Sequence, residues 1–322
     1  MTSITRRVFG LSALAAPALA TPAILAATAR PTFAMDAADS APALFDAPLG
    51  NYRITSLFDG MAPIQKGFFF GDAAAIDAAL EAGGITGDAL PAPVNAFLLQ
   101  SNDQTILIDA GLGEFEALGP GFGRMADALA ATGVAPADVD LIVLTHAHPD
   151  HIGGMVSNGA AVFANAEVVI NETEIGFWGD TGIQAQAPEE AQGLFEAAQL
   201  IYRVYGDQIR PVSAGAEVAS GLTLELSPGH TPGHCLVHID GGDRELLMIA
   251  DTLHSSVLHT ALPDVGFGFD IDPEVAAQSR RRVFERAIAD NALVAATHVP
   301  FPGFGRIIRA GDAYAYAPAS WL

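Results

Sequence analysis

The segment Thr145-His146-Ala147-His148-Pro149-Asp150-His151-Ile152-Gly153-Gly154 constrains this chain more than any other. It puts four ligand-type side chains within six residues, directly after the apolar run Leu141–Leu144. Such a run reads as a buried strand. Side chains alternate along an extended chain, so His146 and His148 point the same way, and Asp150 and His151 fall in the turn beyond. Imidazole and carboxylate suit zinc and related divalent ions. A solvated histidine-rich loop is the plain alternative, but with 9 His in 322 residues this three-His spacing arises by chance in roughly 0.7% of such chains. One catalytic metal with an open position needs three protein ligands, so four in a single segment imply two ions.

Further ligand types stand at other strand ends. His230 and His234 lie among the turn residues of Ser227-Pro228-Gly229-His230-Thr231-Pro232-Gly233-His234, Asp251 ends Leu246–Ala250, and His298 ends Leu293–Thr297. Around them the chain alternates strand and helix signals. Strands are expected at Tyr52–Phe58, Val162–Phe163, Val168–Ile170, Leu222–Leu226 and Leu236–Ile239, with a hairpin of Asn95–Gln100 and Thr105–Asp109 turned at Asn102-Asp103. Helices are expected over Asp72–Ala82, Gly123–Thr132, Glu189–Tyr205 and from Asp272-Pro273-Glu274 to about Asp290. The rest of Met61–Pro91 reads as irregular, and Arg280-Arg281-Arg282 as a solvated helix face. Strands grouped with helices on both sides predict two sheets packed face to face under helical layers.

Composition narrows the partners. Asp plus Glu outnumber Lys plus Arg by 37 to 15, a formal charge of −22. Such a surface repels phosphate backbones and anionic lipid, which argues against nucleic-acid binding and polybasic membrane docking. Cys235 is the one cysteine, so neither a disulfide scaffold nor a thiolate cluster is available. Residues 1–34 read as an address: Arg6-Arg7, an Ala/Leu/Pro stretch to about Ala29, and small residues at Thr32-Phe33-Ala34. This is the pattern of a bacterial twin-arginine export signal. A stable membrane anchor is the competing reading, and Pro17 and Pro22 interrupt it. The expected mature protein is periplasmic or secreted, with a linker over 35–50 and one domain over 51–322.

The order of motifs resembles the metallo-β-lactamase superfamily. The matching pieces are Leu107-Ile108-Asp109-Ala110-Gly111, His146-x-His148-x-Asp150-His151, Pro228-Gly229-His230-Thr231-Pro232-Gly233-His234, Asp251 and His298. The resemblance implies an αββα sandwich of α/β class with its site at one edge. It implies that His146, His148 and His234 hold one metal, that Asp150, His151 and His298 hold the other, and that Asp251 bridges them. It also implies that Asp109 orients the site and that His230 is a structural histidine of its motif. His238 and His259 have no implied role. Zinc is the default ion, with Mn, Co or Fe as options.

His151 together with Asp251 argues against the true β-lactamases. The export signal counts against intracellular glyoxalase II-type thioesterases. The twin-arginine leader, Asp251-x-x-His254 and His298-Val299-Pro300-Phe301-Pro302-Gly303-Phe304 look most like the branch of methyl parathion hydrolase and the acyl-homoserine-lactone lactonases. In those lactonases a tyrosine often stands where His254 stands here. The resemblance places Trp178, Phe195 and Leu118 in a substrate pocket, and Phe68–Phe70 offer a further wall. Such a pocket favours neutral apolar esters, phosphotriesters or lactones, attacked by a hydroxide bridging the ions. In this reading Asp251 and His254 are the catalytic side chains, His254 assisting the leaving group. A lactonase is the alternative primary activity; a non-catalytic metal protein and a periplasmic binding module are readings of a different class. A homodimer is compatible with all of them. The export signal predicts that changing Arg6→Lys and Arg7→Lys together strands the precursor in the cytoplasm. Unchanged periplasmic fractionation of that double variant would point to the general secretory route.

Overall fold

The computed structural model describes residues 41–115 and 121–319. The export segment 1–34 and Leu118 therefore lie outside the described residues. Two seven-stranded sheets form the frame, each with its strands in chain order. The first contains β1 (Leu44–Leu49), β2 (Tyr52–Gln65), β3 (Ala89–Gln100), β4 (Thr105–Ile108), β5 (Leu141–Val143), β6 (Glu167–Asn171) and β7 (Ile209–Val212). The second contains β8 (Glu217–Ala219), β9 (Leu222–Leu226), β10 (Cys235–Asp240), β11 (Glu245–Met248), β12 (Leu293–Ala295), β13 (Phe304–Ala310) and β14 (Ala313–Pro318). The helices are α1 (Ala73–Ala82), α2 (Met125–Ala131), α3 (Pro149–Ile152), α4 (Glu172–Trp178), α5 (Thr181–Gln184), α6 (Glu189–Tyr205), α7 (Leu258–Ala261) and α8 (Pro273–Ala289). Among the described residues no helix is long and apolar enough to cross a membrane.

Alternation along the strands builds the layers. Ile106, Ile108, Leu141, Val143 and Val169 meet Leu246, Met248, Val237 and Ala295 between the two sheets. Their neighbours Leu107, Ile142, Val168 and Ile170 point the other way, onto Leu129, Trp178, Phe195 and Ile201 of the outer helices. On the far side Leu247 and Val294 pack on Val283, Phe284 and Ala287 of α8. The central strands are apolar on both faces because both faces are covered, and the result is the expected αββα sandwich.

Four expectations need correction. The segment read as a linker over 35–50 carries β1, which pairs antiparallel with β2 from Leu44↔Leu57 to Leu49↔Tyr52. Its Pro48 stands on an edge strand, where a missing N–H is tolerated. Much of the "irregular" Met61–Pro91 is the extension of β2 and β3, paired out to Gln65↔Ala89. Val162–Phe163 is not a strand; the short pairing is Val156–Ser157 with Ala160–Ala161. The arginine run is not uniformly solvated. Arg280 is 1% exposed. It donates to the carbonyls of Thr252 (2.8 Å), Pro263 (2.7 Å) and Val265 (3.0 Å), and stands 3.9 Å from Asp270. Three carbonyls and a carboxylate answer the buried guanidinium, which is what such a charge requires.

The parallel strands β4, β5 and β6, and the parallel pair β11 and β12, all end at one edge of the sandwich. The chain turns there under tight constraint. A Cβ at Gly153 would lie 2.0 Å from the Leu112 carbonyl oxygen, and one at Gly154 2.0 Å from that of Ala110, so only glycine lets the segments approach. Arg280→Met is expected to lower unfolding free energy by about 3 kcal/mol, because it leaves three buried carbonyls without their donor and removes the positive charge beside Asp270. Arg281→Met, which breaks an exposed pair with Asp264, is expected to cost less than about 1 kcal/mol. Urea denaturation of both variants checks the contrast; equal effects would mean Arg280 is not the buried anchor.

Candidate metal centre

The edge gathers the sequence-predicted ligands from both sheets. His146 and His148 leave β5 in extended conformation, Pro149 opens α3, and Asp150 and His151 fall in its single turn. His234 directly precedes β10, Asp251 follows β11 and His298 follows β12. Ligand atoms of His146, His151 and Asp251 cluster within 4.8 Å of one another, as do those of Asp150, His151 and His298.

Five histidines share one arrangement: Nδ1 is held by the protein and Nε2 faces inward. His151 Nδ1 is 2.8 Å from Asp109 Oδ2, His298 Nδ1 donates to the Pro93 carbonyl at 2.9 Å, and His234 Nδ1 to that of Ser227 at 2.9 Å. His146 Nδ1 lies 3.1 Å from Thr145 Oγ1, and His148 Nδ1 2.9 Å from His230 Nε2. Anchoring one ring nitrogen fixes the tautomer and leaves the other lone pair free. The inward atoms converge on Asp251. Its Oδ1 is 3.2 Å from His151 Nε2, and its Oδ2 is 3.2 Å from His298 Nε2 and 3.8 Å from His146 Nε2. His298 Nε2 also lies 3.4 Å from Asp150 Oδ2. The Asp251 N–H points at His234 Nε2, 3.2 Å away.

The decisive feature is what these groups lack. The Nε2 atoms of His146, His148 and His151 and Oδ1 of Asp251 are buried without a hydrogen-bond partner. Buried polar atoms are normally satisfied, and four orphans aimed at one centre are what a site for divalent cations looks like before the cations are counted. The donor set of imidazoles and carboxylates fits zinc. Electrostatics divide the histidines. Burial holds His146 and His148 well below the ordinary histidine value and pushes His234 down to about 3, which keeps them neutral. At the other two, Asp251 and its neighbouring acids overcome burial and raise His151 well above that value and His298 above it, so metal binding there would release protons. Burial alone would raise Asp251, but His151, His298 and His146 outweigh it and hold its carboxyl well below the carboxylate range.

Asp109 ties Thr145 to His151. Its Oδ1 accepts from Thr145 N (2.9 Å), and its Oδ2 from Thr145 Oγ1 (2.8 Å) as well as facing His151. It does so with φ +56, and Ala250, just before Asp251, has φ +40. Left-handed backbone at non-glycine residues costs about 1–3 kcal/mol and survives where surroundings over-determine it. His254 lies beside the centre: its Nε2 is 3.1 Å from Asp251 Oδ2, and its ring stacks on Phe267 at 4.0 Å. Burial pushes it down to about 4. His259 supports it, Nδ1 accepting from the His254 N–H at 3.0 Å. His238 stands apart, near Glu245 on β11.

Two aromatics predicted to line a pocket are core side chains first. Trp178 is 0% and Phe195 2% exposed. They share a cavity of about 330 Å³ with Phe177, Ile183, Ala191 and Ile271, and Trp178 also meets His148 with ring centroids 5.3 Å apart. From the turn after β2, Phe68 stacks on Phe269 at 5.5 Å, and Phe269 lies 6.5 Å from His148.

Sequence reasoning missed three buried carboxylates. Asp59 accepts from Leu112 N (2.9 Å) and Met125 N (3.0 Å), tying the loop after β4 to α2. Asp270 holds His230 Nδ1 at 2.9 Å, so His230, expected to be merely structural, links this acid to His148. Glu174 is the third. The only available signal was an acid in an otherwise apolar stretch, as in Phe58-Asp59-Gly60 or Phe269-Asp270-Ile271.

The profile of the family described as the Metallo-beta-lactamase superfamily matches residues 89–298. An N-acyl homoserine lactonase of Bacillus sp is 27% identical over 227 residues, 65% of this chain and 82% of that protein. The N-acyl homoserine lactonase AiiA of Bacillus thuringiensis subsp. kurstaki is 27% identical over 218 residues, 62% of this chain and 78% of that protein. Among solved structures, AidC, a dizinc quorum-quenching lactonase in complex with its N-hexanoyl-L-homoserine product, superposes with a TM-score of 0.81 at 27% identity. That superposition covers 87% of this chain and 99% of AidC. The hydrolase AbOPH matches with a TM-score of 0.81 at 28% identity, over 88% and 99% of the two chains. This chain belongs to the metallo-beta-lactamase superfamily and is a metal-dependent hydrolase.

Proposed function

We propose that the protein is a dizinc lactonase acting on N-acyl homoserine lactones or close analogues. The observation that carries this is the ring of inward-facing Nε2 atoms around Asp251, with His254 set against the same carboxylate. The similarity to AidC and to the Bacillus lactonases supports the substrate class. His146, His148 and His234 would hold one ion, Asp150, His151 and His298 the other, and Asp251 would be shared between them. When bound, the pair supplies an activated water at neutral pH and Lewis-acid polarisation of the scissile carbonyl.

The chain's own residues do the rest. Asp109 and Thr145 fix the rings of His151 and His146. Phe267, Phe269 and Phe68 form an apolar flank beside His148 and His254, which suits an acyl chain and sheds water. His254, whose Nε2 lies 3.1 Å from Asp251 Oδ2, would offer a hydrogen bond to the oxygen released when the ring opens. A hydrogen bond there matters most for a basic leaving oxygen, and least for a nitrophenolate.

Zinc-replete protein is expected to contain two zinc ions per chain by elemental analysis. In a panel of acyl homoserine lactones, aryl esters, phosphotriesters and β-lactams, lactones should be the best substrates. A panel led by phosphotriesters or aryl esters would sink the lactonase assignment while leaving the metal centre intact. Asp251→Ala should remove most activity and lower zinc content, because its loss leaves both cations without a shared counter-charge.

His254→Ala is expected to lower lactone turnover about a hundredfold, the scale of losing one donor at a developing oxyanion. Turnover of p-nitrophenyl esters should stay within about tenfold, a barrier change of about 1.4 kcal/mol. Equal losses on both substrates, with both zinc ions retained, would show that His254 only supports the centre.

A further inference from the structure

Glu174 is a buried carboxylate that the proposed chemistry does not use. It sits on α4 with 0% exposure and accepts four hydrogen bonds from neutral donors. Oε1 takes the N–H of Ala147 at 3.0 Å and Trp178 Nε1–H at 2.7 Å; Oε2 takes Thr231 Oγ1–H at 2.7 Å and the N–H of Gly233 at 2.9 Å. These donors are not scattered. Ala147 stands between His146 and His148 on the first sheet's loop, and Gly233 immediately precedes His234 on the second's. The approach at Gly233 is close, since a Cβ there would lie 2.3 Å from the Glu174 backbone nitrogen.

We propose that Glu174 is a positioning residue. One carboxylate straps the loop of His146 and His148 to the loop of His234, and so sets the spacing of the three ligands assigned to one ion. This rests on the ligand assignment given above. The other ion's histidines hang from different anchors, His151 from Asp109 and His298 from the Pro93 carbonyl. Loosening Glu174 therefore acts on one ion and spares the other. Charge and shape both matter. Glu174→Gln keeps the volume, but its amide nitrogen faces two donors, so the Ala147 or the Gly233 N–H loses its acceptor.

The test uses the full chain, titrated with zinc and, separately, with cobalt for its absorption spectrum. For Glu174→Gln, one equivalent is expected to bind within about threefold of wild type and the other to weaken by about 10- to 100-fold, as for other partners that orient metal ligands. The cobalt spectrum should lose the contribution of one site only. Thr231→Val removes one donor while leaving both loops tied through Ala147 and Gly233, and is expected to keep both ions. Parallel weakening of both equivalents, unchanged affinities, or equal damage in Thr231→Val would overturn the proposal, because each is the signature of packing alone.

A second readout needs no metal. Amide exchange at Ala147 and Gly233 in metal-free protein should quicken at least tenfold in Glu174→Gln for one or both amides. Unchanged protection of both overturns the brace. Wild-type protein that binds a single zinc would overturn the ligand assignment instead, and the exchange comparison would still decide the role of Glu174.

Discussion

The carboxylate of Asp109 does at this edge what no apolar contact could. With three donors on two oxygens, it locks Thr145, and through Thr145 and His151 it decides which nitrogen of two ligand rings carries the proton. An ionised acid or a backbone carbonyl, which accepts without donating, pins an imidazole most directly. The same device recurs with the Ser227 carbonyl behind His234 and the Pro93 carbonyl behind His298. His146 and His148 differ, since their anchors are the Thr145 hydroxyl, held by Asp109, and another imidazole, held by Asp270. Ligand orientation is thus an outcome of the scaffold.

Such a centre is costly to fold. It buries histidines and carboxylates side by side, and desolvation opposes charge on them. The compensations are visible. Asp251 stays ionised because several imidazoles face it, and the strained turns at Asp109 and Ala250 are held by the strands that end there. Arg280 answers the carbonyl of Thr252, the residue after Asp251, from the interior of α8. Stability and function are coupled at this edge: the groups that make the site reactive are those the fold can hold only with partners.

Much of this was legible in the sequence because the ligands sit at the ends of apolar runs. Continuous apolar runs mark β4, β5 and β11, and Asp109, the His146 cluster and Asp251 begin where they stop. Helices α6 and α8 were equally plain from their spacing and, for α8, from the Asp272-Pro273 start. What escaped was set by tertiary contact. Nothing local distinguishes Arg280 from Arg281, although one is buried and the other solvated. Asp59, Glu174 and Asp270 look like any acid in a mixed stretch until the loops they tie are folded together. The pairing of Leu44–Leu49 was hidden because a short edge strand with a proline resembles a linker. Trp178 and Phe195 were placed in a pocket by resemblance; their burial follows from α4 and α6 packing on the first sheet.

His146, His148, Asp150 and His151 belong to the first sheet, while His234, Asp251 and His298 belong to the second. Any ion shared among them is a cross-link between the halves of the sandwich. Separating the sheets then requires breaking coordinate bonds, so metal occupancy should govern how slowly the protein comes apart as well as how it reacts. Assembly is ordered too. The last ligand, His298, follows β12, so the set cannot close until the second sheet has formed against the first. A complete ligand set therefore requires both sheets to be in place.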